Sequence, residues 1–203
     1  MQVEVIALGP MENCTYLVYQ DGQALLVDPA WDMNFLEHTL QEKKLKLLAV
    51  FFTHGHFDHV KFAQTLLEKT GVKGYLEKND LLLAGMDPQF LHLYEGEQTF
   101  SIGPFSVHII PTPGHTAGGV CVQIGNCLFT GDTLFPGACG RVDLPTSNPR
   151  QMRQSLLKLA QLPEDTQIFA GHSYNGKCSS TLGFERVQNP FMRNALRDKE
   201  ELV

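Results

Sequence analysis

The sequence predicts a layered α/β fold, two sheets with helices on their outer faces, and three observations carry that prediction. The chain opens with strand-like runs joined by a tight turn. Strand-like and helix-like runs then alternate to the end. Several apolar runs stop at a small residue followed at once by histidine or aspartate, so polar side chains collect where strands finish.

Positions 3–8 and 15–19 read as strands, and Gln20-Asp21-Gly22-Gln23 is the hairpin turn into a returning strand at 24–28. Asp32 is placed to cap a helix running to about position 43, with Phe35, Leu36 and Leu40 as its apolar stripe. An apolar run at 45–52 is a buried strand. A second helix, about 60–69, places Phe62, Leu66 and Leu67 on one side, and 79–86 is a third. Strands recur near 105–111, 119–124 and 127–130, with Gly125-Asn126 between the last two. Pro149, after Asn148, suits the first turn of a helix reaching about position 162. A strand at 166–170 and a short helix near 182–188 follow. With no internal repeat, low-complexity segment or clear linker, residues 1–203 are expected to form one domain.

Composition narrows the classes. A chain of 203 residues can bury a sizeable core, and 43% hydrophobic against 19% charged residues is the balance of a soluble globular protein. The apolar runs fall well short of the ~20 residues a membrane span needs, and no signal-like N-terminus is evident. The net charge of −6 carries no basic block, which argues against a nucleic-acid partner. Five cysteines (Cys14, Cys121, Cys127, Cys139, Cys178) form no Cys-x-x-Cys pair and read as reduced thiols, hence a cytoplasmic location. Cys121 and Cys127 lie in apolar runs. Cys139, in Gly137-Ala138-Cys139-Gly140, is either packing or a reactive thiol.

The chemistry concentrates at Thr53-His54-Gly55-His56-Phe57-Asp58-His59. On an extended backbone His54 and His56 share a face, and Asp58 and His59 fall at the turn into the next helix. Neutral imidazole and carboxylate suit a zinc-type cation without thiolate. Further donors stand at other strand ends: His115 in Pro113-Gly114-His115-Thr116, Asp132 in Gly131-Asp132-Thr133, and His172 after Gly171.

This ordered set resembles the metallo-β-lactamase superfamily, whose pattern is His-x-His-x-Asp-His, then His, Asp and His. All seven positions are filled, by His54, His56, Asp58, His59, His115, Asp132 and His172. Within it the chain looks most like glyoxalase II-type hydrolases, through 113–116, 129–135 and 180–185, and the likeness covers roughly residues 3–192. The resemblance implies an αββα four-layer sandwich and two divalent metal ions, zinc, iron or manganese. It places His54, His56 and His115 on one ion, Asp58, His59 and His172 on the other, and Asp132 across both. It further implies that a bridging hydroxide attacks the acyl carbon of a thioester, with Asp58 also orienting it. Thr53 and the backbone around Gly55 would support the ligands from outside. Tyr174 matches a tyrosine that contacts glutathione in that family, and Arg141 stands where full-length members carry a lysine that binds the thiol carrier. Asp143 departs from the family tyrosine there. The chain stops some thirty residues after His172, short of the helical C-terminal domain of the full-length enzymes. In this it resembles short glyoxalase II-like proteins and acyl-carrier thioesterases, as does its opening Gly9-Pro10-Met11-Glu12-Asn13.

A rival resemblance is to persulfide dioxygenases, which keep the same seven residues but use one iron held by the equivalents of His54, His115 and Asp132. Residues 172–181 are similar to their C-terminal signature, whereas Phe57 replaces their usual alanine. A different lactone, lactam or ester substrate is a further alternative. Of the other histidines, His108 reads as an outward side chain in a strand and His38 lies on a helix. His92 is either on a loop over the site or without a role, and Met86, Phe90 and Tyr94 are candidates for an acyl pocket or the core.

Overall fold

The computed structural model describes residues 1–200. The first half of the chain builds one sheet and its helices. In order come β1 (Gln2–Leu8), β2 (Asn13–Gln20), β3 (Gln23–Val27), α1 (Met33–Glu42) and β4 (Lys46–Phe51). Next are α2 (Phe57–Val60), α3 (Ala63–Thr70), β5 (Lys73–Glu77), α4 (Leu81–Ala84) and β6 (Leu91–Tyr94). Asp21 and Gly22 both have positive φ, 51° and 72°, the twist that a two-residue hairpin between β2 and β3 demands. Asp32 caps α1 by accepting from Phe35 N–H at 3.0 Å. These strands form a six-stranded sheet, antiparallel from β1 to β3 and parallel from β3 to β6, where helices or helical turns return the chain.

The second half gives β7 (Gln98–Ile102), β8 (Phe105–Pro111), β9 (Val120–Ile124), β10 (Cys127–Gly131), β11 (Leu134–Phe135) and β12 (Ala138–Cys139). Then come α5 (Pro149–Leu159), β13 (Gln167–Ala170), β14 (Ser179–Thr181), α6 (Leu182–Gln188) and α7 (Pro190–Glu200). A meander from β7 to β10 is extended by β13, parallel to β10 after the α5 crossover, and by β14 at the edge.

Alternation along each strand sorts side chains between two faces. Tyr16, Val18, Leu25, Val27 and Phe51 turn towards the other sheet and meet Val107, Ile109, Val122 and Phe129. Their neighbours Leu17, Leu26 and Val50 turn outward beneath Leu36, Leu66 and Leu67 of α1 and α3. On the far side Ile110, Cys121, Leu128 and Ile168 are covered by Leu156 and Leu159 of α5 with Leu182 and Met192. Helix, sheet, sheet, helix is the four-layer sandwich expected. No described helix is long and apolar enough to cross a membrane.

Several local expectations need correction. The helix expected at 60–69 is two pieces, because Phe62 leaves helical geometry at φ −111°, ψ 4° and its N–H bonds Ala30 O at 3.2 Å. Phe62 is therefore 45% exposed and packs edge-on against Trp31, and Phe35 on α1 is likewise outward, 46% exposed. His59 lies inside the short α2 rather than ahead of a helix. His92 sits on β6 against Tyr75, with no loop carrying it over a site. Met86 and Tyr94 belong to the core and Phe90 packs against it.

Candidate metal centre

Strands β4, β8, β10 and β13 all finish at one edge of the sandwich, and each hands its next residues to the same place. His54 and His56 follow β4, with Asp58 and His59 on the α2 turn beyond them. His115, Asp132 and His172 follow β8, β10 and β13. Donor atoms of His54, His56 and His115 lie within 4.8 Å of one another, as do those of Asp58, His59 and His172. Asp132 lies between the sets, with Oδ2 3.4 Å from both His115 Nε2 and His172 Nε2 and Oδ1 3.5 Å from His59 Nε2. Every predicted ligand position therefore converges.

Metal ions fit these residues on the structure's own terms. His54 Nε2, His115 Nε2 and Asp132 Oδ1 are buried and have no hydrogen-bond partner. Such atoms are costly to bury unless something else satisfies them. Their tautomers point the same way. Thr53 Oγ1 donates its one proton to Asp28 Oδ2 at 2.6 Å, so it must accept from His54 Nδ1 at 3.1 Å. That leaves the His54 Nε2 lone pair facing inward. His115 Nδ1 donates to Arg141 O and His172 Nδ1 to Met11 O, both at 2.8 Å, and His59 Nδ1 lies 3.0 Å from Asp28 Oδ2. Each contact fixes the ring and frees Nε2 for an ion.

Charge is arranged to match. Burial, then the neighbouring His59 and His115, hold His54 well below its ordinary pKa, and burial and His115 lower His56, so both are neutral ligands. Burial opposes ionisation of Asp132, but His59 and His172 outweigh it and lower its pKa. Burial likewise opposes charge on His172, yet Asp132 and Asp58 push it up to about 11, and Asp132 and Asp28 raise His59. In the metal-free chain the His172 imidazole therefore carries a proton that a cation would displace. Zinc added to metal-free protein at pH 7 is therefore expected to release protons, which an indicator dye in weak buffer would record. Uptake without acidification would contradict this assignment.

Three buried side chains that the sequence reading passed over hold the ligand loops. Asp28, at φ 50° just past β3, accepts from Thr53 N–H at 2.8 Å as well as from Thr53 Oγ1 and His59. Asp80 accepts from Gly55 N–H, Thr116 Oγ1 and Gly118 N–H at 2.8, 2.7 and 2.7 Å, tying the loop of His54 and His56 to that of His115. Asn13 Nδ2 donates to Asp58 Oδ2 at 3.0 Å. Gly171 is needed for room: a Cβ there would lie 2.3 Å from Asp132 Oδ1 and 2.8 Å from His59 Cε1. Gly171→Ala is expected to displace Asp132 and lower the metal content per chain, as elemental analysis would show.

Above the donors opens a cleft of about 810 Å³ walled by Met11, Phe57, Leu83, Phe135, Leu144 and Tyr174. Tyr174 lies parallel to His172, ring centroids 5.6 Å apart, and edge-on to Phe135 at 4.9 Å. Arg141 borders the cleft but is exposed and paired with Asp143 through two bonds of 2.7 and 2.8 Å. Its backbone carbonyl, rather than its side chain, touches a ligand. Cys139 lines the cleft, and burial pushes its thiol up to about 11, so it packs there and is not a ready thiolate.

Fold and site together define a candidate metal centre at one edge of an αββα sandwich. The family model for the metallo-beta-lactamase superfamily matches residues 9–172. The chain is 34% identical to the "Probable metallo-hydrolase YqgX" of Bacillus subtilis, over 91% of this chain and 94% of that protein. It is 37% identical to a hydroxyacylglutathione hydrolase of Brucella ovis, over 80% of this chain and 63% of that one. Among solved structures, TTHA1623 in a di-iron-bound form superposes with a TM-score of 0.80 at 33% identity, covering 93% of this chain and all of that one. The chain belongs to the metallo-beta-lactamase superfamily.

Proposed function

We propose that the protein is a two-metal hydrolase of thioesters, acting on an acylglutathione or a carrier-bound acyl thioester. The reading rests above all on the division of the donors into two three-membered sets with Asp132 between them. His54, His56 and His115 would hold one ion and Asp58, His59 and His172 the other. Imidazole and carboxylate without thiolate suit zinc, with iron or manganese as alternatives. Ions there would supply Lewis acidity and lower the pKa of water from 15.7 to about 7.

The chain's own groups bind and orient the substrate. Met11, Leu83 and Phe135 give the cleft apolar walls that limit water around the reacting carbonyl. Tyr174 offers an amphipathic face at the rim, 49% exposed, for the thiol carrier. Arg141 can exchange Asp143 for a substrate carboxylate, which a guanidinium grips bidentately. A departing thiol has a pKa of about 8.5 and leaves as thiolate, so the site needs no buried acid to protonate it. Asp58 is held by Asn13 with its pKa lowered, burial opposing and His172 and His59 prevailing, so it stays an acceptor.

Thiol release from acylglutathione and acyl-pantetheine substrates, measured beside elemental analysis and oxygen uptake with glutathione persulfide, tests the proposal. The expected result is thiol release by protein carrying two ions per chain. Oxygen consumption by protein holding one iron would replace this reading with the persulfide dioxygenase.

A further inference from the structure

We propose that Asn13 is a positioning residue for the ion set of Asp58, His59 and His172, and that Trp31 locks it in its working orientation. The inference rests on the two-ion reading above and adds how one ion is held separately from the other. An indole N–H can only donate. Trp31 Nε1 lies 3.0 Å from Asn13 Oδ1, so that atom must be the amide oxygen and the NH₂ must face Asp58 Oδ2, 3.0 Å away. Both Asn13 and Asp58 are buried, so neither has bulk water as a ready substitute partner.

The indole is itself held in place. Gly9, at φ 85°, lets the chain pass so close that a Cβ would stand 2.5 Å from the ring. Phe62 meets it edge-on at 6.0 Å, and Lys61 Nζ sits 4.9 Å from its centroid. Lys61 and Phe62 directly follow α2, the turn that carries Asp58 and His59. The device therefore closes on itself: the helix that presents the ligand also braces the group that orients it.

The same N-terminal segment reaches the third member of the set. Met11 O accepts from His172 Nδ1 at 2.8 Å, Asn13 pairs with His172 as a β-bridge, and Cys14 N–H bonds Gly171 O at 2.8 Å. His54 and His115, by contrast, are fixed through Thr53 and Arg141, and their loops through Asp80. Disturbing Asn13 should loosen one ion and spare the other.

Trp31 is the chain's one tryptophan, so its emission reports on this contact. Metal-free protein titrated with zinc against a chromophoric chelator should take up two ions, the steps being assigned with His56→Ala and His172→Ala chains. Trp31 emission should change with the step that His172→Ala removes. Asn13→Ala should weaken that step about 10–100-fold, the usual cost of losing a group that orients a metal ligand, and leave the other unchanged. Trp31→Phe, read by the chelator alone, should weaken the same step by less, and it carries the test should Asn13→Ala fail to fold by circular dichroism. Both variants retaining both affinities would overturn the proposal. So would equal weakening of both steps, the mark of a merely structural residue. A wild-type endpoint of one ion per chain would sink the two-ion reading and this inference with it, and that failure appears in the wild-type titration alone.

Discussion

Replacing Asp132 with alanine is expected to abolish paired metal binding and to cut thioester hydrolysis by about 10³-fold or more. The size follows from what the carboxylate touches. It lies within 3.5 Å of imidazole nitrogens from three segments, His59, His115 and His172, so both donor sets lose the carboxylate that stands between them. Lewis-acid stabilisation of developing charge is worth several kcal/mol, and each 1.36 kcal/mol is a factor of ten in rate. The loss should appear in kcat and in metal content together. The methyl group also leaves three inward-facing imidazoles without the anion that balances them, so the ions should not be recovered by raising zinc concentration modestly. Turnover within tenfold of wild type, with two ions still bound, would mean that the assignment of Asp132 is wrong.

Asp28→Ala should produce the largest loss of stability. Three donors, Thr53 N–H, Thr53 Oγ1 and His59 Nδ1, converge on this one buried carboxylate. A buried donor left unsatisfied costs about 1–3 kcal/mol, which for three gives a loss on the order of 3–5 kcal/mol once some relaxation is allowed. The backbone adds to it, since φ is 50° and alanine tolerates the left-handed region less well than aspartate or asparagine. Asp28→Asn should therefore be milder: it keeps the shape and the φ tolerance but offers one acceptor oxygen where the carboxylate offers two. Urea unfolding of the metal-free proteins would measure both. A drop below about 1 kcal/mol for the alanine variant would show that water replaces the carboxylate, contrary to a side chain 3% exposed.

The contrast between these two aspartates marks how far the sequence could be read. Asp132 was visible because it ends an apolar run behind a glycine and stands in a series with His54, His56, His115 and His172. Asp28 also ends a strand, yet its partners Thr53 and His59 are 25 and 31 residues away. Asp80 looked like one polar position in a helix, and its three donors lie 25 to 38 residues distant. Locally, a buried aspartate that collects distant amides is indistinguishable from one that caps a turn in water. Strands β5 to β7 were missed for a related reason. Lys73-Gly74-Tyr75-Leu76-Glu77 carries little alternation of its own, and its place comes from pairing with β4 and β6. The break at Phe62 depended on Ala30 O waiting across the fold.

By itself, the order of residues determined two sheets with helices outside and ligand-type side chains at the strand ends, because strand periodicity, turn chemistry and ligand type act over a few neighbouring positions; the four-layer order and the grouping of the seven donors came from the family resemblance. Only the tertiary structure decided that Asp28, Asp80 and Asn13 hold the segments that carry them. It also decided that the Arg141 guanidinium spends itself on Asp143 while its carbonyl holds His115. Those assignments rest on hydrogen bonds between segments far apart along the chain, whose lengths and directions exist only once both sheets have packed.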